Sequence, residues 1–319
     1  MKQMEWIKPN TNYNFLRYKW IAPAASGVVI LASILSLWLK GGPNYGIDFS
    51  GGILVQLRFN KEISAGEVRD ALDSLGLPHL LVQRFGAKED HEYLVRVGQM
   101  ETDLEGLSKS IEKALKERFG SESTEVRRTE LVGPKVGAEL RRKGLLAVLY
   151  SNIGILIYLT FRFEFPYALA TVLAVVHDAL ITIGCFSFLN KEIDLTEVAA
   201  ILTIIGYSVN DTIVLFDRVR ENLRKIRKQS LEKVMNTSIN ETLSRTIFTN
   251  FTVLMVVLVL FLFGGPVIHN FAFAMLVGCV VGTYSTVYVA SPVVLFWAYL
   301  KERTEKTKTA RSGAKKASR

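Results

Sequence analysis

Four ionisable side chains sit where few are tolerated, inside long apolar runs: His177, Asp178, Asp211 and Arg245. At bilayer depth each costs roughly 2.5–3.5 kcal/mol on insertion scales, so each needs a reason to be there. Asp211 and Arg245 are related by position. Each is 17 residues from Lys228, the middle of a charged connection between two apolar runs. If both runs are antiparallel helices, the carboxylate and the guanidinium sit at similar heights. Asp211 then lies about 10 Å inside Arg218, at 1.5 Å per residue. Thr249 and Asn250, on the next turn after Arg245, could extend a hydrogen-bonded path. A buried carboxylate near a guanidinium can gain or lose a proton as spacing and hydration change, the chemistry of a proton-driven machine. The alternative is an ion pair that only fixes helix packing. Structural packing is the simpler reading of His177 and Asp178, because adjacent helix positions do not face each other. Glu197, near the start of its run, reads as interfacial.

The elements that must hold these residues are membrane spans. Hydrophobic residues make up 49% of the 319-residue chain although 22% are charged, so oily and charged blocks are segregated. Residues 21–39, 145–161, 246–268 and 271–300 contain no charged side chain, and 166–189 and 195–216 contain few. A span needs about 20 apolar residues, so six spans are expected. The last is longer than a bilayer requires, and Pro292 within it predicts a kink or tilt. The first run exceeds the apolar core of a signal peptide, with Ala-Pro-Ala-Ala at its beginning, and reads as a retained span. Lys and Arg cluster before span one, between spans four and five, and after Leu300. The opposite loops, residues 190–194 and 264–270, offer only Lys191. By the positive-inside rule both termini are cytoplasmic and the segment after span one lies outside.

The same asymmetry accounts for the net charge of +9. No basic patch is interleaved with aromatics, which argues against nucleic-acid binding. The basic tail is expected to be solvated and unstructured, with anionic lipid or ribosomal RNA as alternative contacts. Cys185 and Cys279 fall inside spans and provide no disulfide framework. Gly278 and Gly282 form a close-packing motif in span six.

Between spans one and two the period changes. Ile53, Val55, Leu57 and Phe59 alternate as in a strand. Ser64 with Glu67, and Thr102 with Glu105, have capping-box spacing ahead of amphipathic helices, ended at Gly76–Pro78 and Gly120. Residues 80–85, 92–97 and 124–132 read as further strands. The order βαββαβ is the ferredoxin-like pattern. His79 and His91 lack ligand spacing, so no metal is expected. No nucleophile elbow, Walker A or dinucleotide fingerprint appears, so no enzyme or cofactor is expected either. The expected fold is an α-helical polytopic membrane protein. Six transmembrane helices carry one extracytoplasmic ferredoxin-like α+β domain between helices one and two. The segments are 1–20 (cytoplasmic), 21–39 (helix one), 40–143 (outer domain with flanking motifs), 144–300 (helices two to six) and 301–319 (basic tail).

Several stretches carry a resemblance. Gly46-Ile-Asp-Phe-Ser-Gly-Gly52 follows span one, and Val132-Gly-Pro-Lys-Val-Gly-Ala-Glu-Leu140 precedes span two. Gly206-Tyr-Ser-Val-Asn-Asp-Thr-Ile-Val214 continues to Phe216-Asp-Arg-Val-Arg-Glu-Asn222 in span four. Gly282-Thr-Tyr-Ser and Tyr288-Val-Ala-Ser-Pro292 lie in span six. Over about residues 15–300 the chain resembles the SecF branch of the SecD/SecF family of bacterial protein-export membrane proteins, relatives of the RND transporters. The resemblance implies an auxiliary subunit of the Sec preprotein translocase in the bacterial cytoplasmic membrane. It implies use of the proton motive force together with SecD, as a separate polypeptide, at late stages of export. Implied partners are SecD, the SecYEG channel, translocating preprotein and membrane lipid. By motif, Asp211 and Arg245 match the proton-transport positions of SecF halves, and Thr249, Asn250, His177 and Asp178 are further candidates. Gly46, Asp48, Gly51 and Gly52 form the structural motif after span one, where Asp48 among glycines suggests a turn at the membrane surface. An RND-type proton-coupled transporter half is the alternative, though it would call for two membrane halves and larger outer domains. A passive scaffold is the third reading.

Overall fold

Apolar length decides the membrane part. The computed structural model describes residues 11–77, 80–86, 88–98, 104–120, 123–225 and 229–317. Within them six helical stretches are long and apolar enough to cross a bilayer. A 3-10 turn, Phe15–Tyr18, leads into α1 (Ile21–Leu39). The short α2 (Ile47–Ser50) opens the sheet domain, which runs β1 (Gly52–Phe59), α3 (Ala65–Asp73), β2 (Leu81–Phe85), β3 (Glu92–Val97), α4 (Leu104–Phe119) and β4 (Thr124–Val132). The bundle resumes with α5 (Pro134–Arg162), α6 (Phe165–Phe188), α7 (Leu195–Lys225), α8 (Leu231–Phe263) and α9 (Gly265–Ser285). A π segment, Thr286–Ala290, joins α9 to α10 (Ser291–Ala317).

The sheet domain has the expected βαββαβ order, with four antiparallel strands arranged β2-β3-β1-β4. Alternation along β1 puts Ile53, Val55, Leu57 and Phe59 on one face, where Tyr93, Val95 and Val97 of β3 join them. Val68 and Leu72 of α3 and Ile111 and Leu115 of α4 close over that face. The Ser64–Glu67 capping box is formed: Ser64 Oγ accepts from the Glu67 N–H at 3.2 Å, and Glu67 Oε2 accepts from the Ser64 N–H at 2.7 Å. His79, Thr102 and Lys228 lie outside the described residues. The opposite sheet face, with Leu54, Gln56, Leu94, Arg96 and Glu130, is not covered by helices. It lines a cavity of about 1040 Å³ whose other wall includes Asp48, Asp194, Glu197 and the junction of α8 and α9.

In the bundle α6 and α7 are the most enclosed helices, while α1, α5 and α8 turn most of their apolar surface outward. Small residues permit the close approaches. A Cβ at Gly184 of α6 would overlap Ser33 of α1, and one at Gly278 of α9 would overlap Ile204 of α7.

Four local expectations change. The Gly46–Gly52 stretch is not simply a turn, because Ile47–Ser50 closes a short helix before Gly51 (φ +72°) and Gly52 (φ +131°) lead into β1. The second crossing helix starts at Pro134, ahead of its apolar run, since a proline at a first helical position leaves no N–H wanting. Residues 264–270 are not a loop. Gly265, at φ +73°, begins α9 directly after Gly264. The basic tail is not an unstructured extension, because α10 continues to Ala317. The irregularity expected at Pro292 takes the form of the π segment just before it. There Ser291 Oγ donates to the Thr286 carbonyl at 3.1 Å.

Candidate functional site: two buried carboxylates on neighbouring helices

Asp211, 3% exposed, lies on the buried face of α7. Its Oδ2 accepts from Asn250 Nδ2 of α8 at 2.6 Å. Asn250 also donates to the Thr246 carbonyl of its own helix at 2.8 Å. The Asn250 Oδ1 and the Tyr207 hydroxyl, one turn before Asp211, are buried without hydrogen-bond partners among the described residues. Asn250 is thus joined to Asp211 as a path would require. Arg245 is not. Its side chain is exposed, forms no salt bridge with Asp211 among the described residues, and acts on the carboxylate as a more distant charge. Asp211 and Arg245 share a pair of neighbouring helices, but helical phase turns the arginine outward. Thr249 does not extend the path either, because its hydroxyl returns to the Arg245 and Thr246 carbonyls at 3.0 and 3.1 Å.

His177 and Asp178 overturn the expectation from adjacency. His177 Nδ1 lies 2.8 Å from Asp178 Oδ1. Helix geometry separates adjacent side chains by about 100°, yet two short polar groups can bend toward each other when both are buried. Asp178, 1% exposed, receives two further bonds at Oδ2, from Ser208 Oγ of α7 at 2.6 Å and Ser285 Oγ of α9 at 2.8 Å. Gly282 makes room for this junction, since a Cβ there would come within 3.3 Å of Ser208 and 3.6 Å of Asp178. The close-packing motif therefore also admits a polar contact between three helices. One turn along, Thr212 and Thr286 share a 3.0 Å hydroxyl contact beside the π segment. The His177 ring stacks on Tyr284, whose hydroxyl donates to the Ala22 carbonyl of α1 at 2.8 Å. His177 Nε2 has no hydrogen-bond partner among the described residues.

Tyr207, Ser208, Tyr284 and Ser285 thus belong to the site, although their sequence motifs assigned them no role. The available signal was uncharged polar residues recurring at helical spacing opposite a buried carboxylate. Glu197, expected at the interface, stands in the first turn of α7 and is 4% exposed. Its Oε2 accepts from the Asp194 N–H at 2.7 Å, at the beginning of α7. Asp48 and the glycines of its motif meet this same corner. A Cβ at Gly46 would overlap the Asp194 carboxylate, and one at Gly52 would overlap the Val97 carbonyl of β3.

The arrangement sets buried carboxyl, imidazole, hydroxyl and amide groups where α6, α7, α8 and α9 meet, and such groups can hold a proton. The family model described as protein export membrane protein SecD/SecF, C-terminal, matches residues 110–300, and the SecD/SecF GG motif matches residues 37–63. The second match contains the Asp48 corner. A protein translocase subunit SecF from Vibrio alginolyticus is 45% identical, over 97% of this chain and 97% of its own length. One from Calditerrivibrio nitroreducens is 44% identical over 94% and 99%, and one from Escherichia coli O157:H7 is 39% identical over 95% and 93%. The crystal structure of SecDF, a translocon-associated membrane protein from Thermus thermophilus, superposes with a TM-score of 0.80 at 35% identity. The match covers 91% of this chain and 39% of that longer one. With the glycine corner, both buried carboxylates and all six spans inside these matches, the chain belongs to the SecF family of protein translocase subunits.

Proposed function

We propose that this SecF subunit draws on the proton motive force by loading and unloading a proton at Asp211. One observation carries the reading. The carboxyl is buried against a neutral amide that presents both a donor and an unused acceptor. Asn250 Nδ2 suits the carboxylate, and after a small rotation Oδ1 suits the protonated acid. Both charge states can then be hydrogen-bonded without stranding a buried ion, which is what reversible proton transfer needs. His177–Asp178, on α6, is a further buried acid–base pair, joined to α7 through the Ser208 hydroxyl.

The sheet domain lies outside the cell in this reading, both termini are cytoplasmic, and the membrane is the bacterial cytoplasmic membrane. SecD is the membrane partner. The outer face of α8 exposes Arg245 and, about three to four turns further along, Val256 and Val259, and an arginine facing lipid would be costly. A second membrane subunit covering that face removes the cost. SecYEG and the translocating preprotein complete the assembly.

The test is a set of variants, Asp211→Asn, Arg245→Met and the double, read for complex yield with SecD and for gradient-stimulated export. Asp211→Asn keeps its bond to Asn250, so yield is expected to hold while stimulation is lost. Full stimulation in Asp211→Asn refutes the assignment. Lost yield in each single variant, rescued in the double, supports the scaffold reading instead.

A further inference from the structure

The corner where the sheet domain meets the bundle is built from reciprocal carboxylate contacts. Asp194 Oδ1 accepts from the Asp48 N–H at 3.2 Å, and Asp48 Oδ2 accepts from the Leu195 N–H at 3.1 Å, the first residue of α7. Each aspartate thus serves a helix start on the other side of the corner. The segment just before α7, residues 190–194, is tied by four further contacts. The Gly46 N–H donates to the Ile193 carbonyl at 3.1 Å, and the Ile193 N–H donates to Asn44 at 2.9 Å. Arg96 of β3 forms an ion pair with Glu192, and Asn270 Nδ2 of α9 reaches the Glu192 carbonyl at 3.4 Å. Movement of α7 is therefore felt by the segment that enters β1.

We propose that Asp194 is a positioning residue whose proton occupancy sets how firmly the sheet domain is held on the bundle, the joint closing when Asp194 is protonated and loosening when it is ionised. This deepens the proton-driven reading by assigning the residues that link the bundle to the domain. The charged groups acting on Asp194 are Asp48 from α2, Arg96 from β3, Glu130 from β4 and Glu197 from α7, while Glu192, two residues before it, is paired with Arg96. Lys191 lies behind Glu197. Apart from Arg96, the charges that reach the carboxyl directly are negative. Burial first, then Asp48, pushes the Asp194 carboxyl up from 3.8 to about 6, with Arg96 opposing.

The sign follows from linkage. A carboxyl whose value is higher in the closed joint than in solvent binds its proton more tightly when closed. Falling pH therefore favours closure, and rising pH through about 6 favours opening. Between pH 7.5 and 5.5 that difference shifts the equilibrium by about fourfold toward the closed joint.

The full chain with SecD, in lipid nanodiscs, tests this. Spin labels at Glu125→Cys in β4 and Phe263→Cys at the end of α8, in a Cys185→Ala/Cys279→Ala background, report the domain-to-bundle distance distribution. The short-distance population is expected to rise about fourfold relative to the long one from pH 7.5 to 5.5. Asp194→Asn, whose amide oxygen can still accept from Asp48, should weaken the pH dependence to what Glu197, raised to about 7 chiefly by burial, contributes in the same corner. Asp48→Asn should move its midpoint lower. Asp211→Asn should leave it intact, so failure of the joint and failure of the proton carrier are told apart. A wild-type distribution that ignores pH, one that opens in acid, or an unchanged response in Asp194→Asn overturns the proposal.

Discussion

Replacing Asp178 by alanine removes the carboxyl that bonds three groups: His177 Nδ1 at 2.8 Å, and the donating hydroxyls of Ser208 at 2.6 Å and Ser285 at 2.8 Å. In water-soluble proteins a hydrogen bond to a charged group contributes about 1.5–3 kcal/mol. Measured side-chain bonds between membrane helices average only about 0.6 kcal/mol, with a maximum near 1.7, because the unfolded chain in lipid finds other partners. Taking about 1 kcal/mol for each bond, Asp178→Ala should cost about 3 kcal/mol. Asp178→Asn should cost about 1, since the amide oxygen remains an acceptor and the serine hydroxyls can rotate. Reversible unfolding in mixed micelles, followed by circular dichroism, gives these differences directly. The control is the Ser208→Ala/Ser285→Ala pair. With both donors gone, adding Asp178→Ala should cost clearly less than it does in the wild type. An Asp178→Ala protein within about 0.5 kcal/mol of wild type, or additive behaviour in the triple variant, refutes the account. A stabilised variant would mean that burying the carboxyl costs more than its three bonds return.

Gly278→Val should drive α9 away from Ile204 and cost about 1–3 kcal/mol. Ile204→Ala should recover part of that loss when combined with it, measured in the same unfolding assay. Ser64→Ala removes half of a formed capping box and should cost the sheet domain about 1 kcal/mol, read from its denaturant midpoint.

The six spans and the alternating strand order were determined by the sequence alone. Apolar run length and two-residue alternation are local quantities, and a bilayer or a sheet face leaves few other ways to satisfy them. The Ser64–Glu67 cap was readable for the same reason, since both partners lie on one turn. Asp211 was identifiable as an anomaly because a carboxyl in an apolar run is costly wherever it points. Its partner was not. Counting residues from Lys228 set the height of Arg245 but not its angle, and about 100° per residue turned it outward while presenting Asn250. The Asp178 junction joins α6, α7 and α9, and no spacing within one helix encodes which serines meet it. The Asp48–Asp194 corner spans 146 positions of sequence, so only the folded chain brings those carboxylates together. What lay beyond the sequence was azimuth and long-range contact, because a helix's rotation is fixed by the neighbours it packs against and not by its own residues.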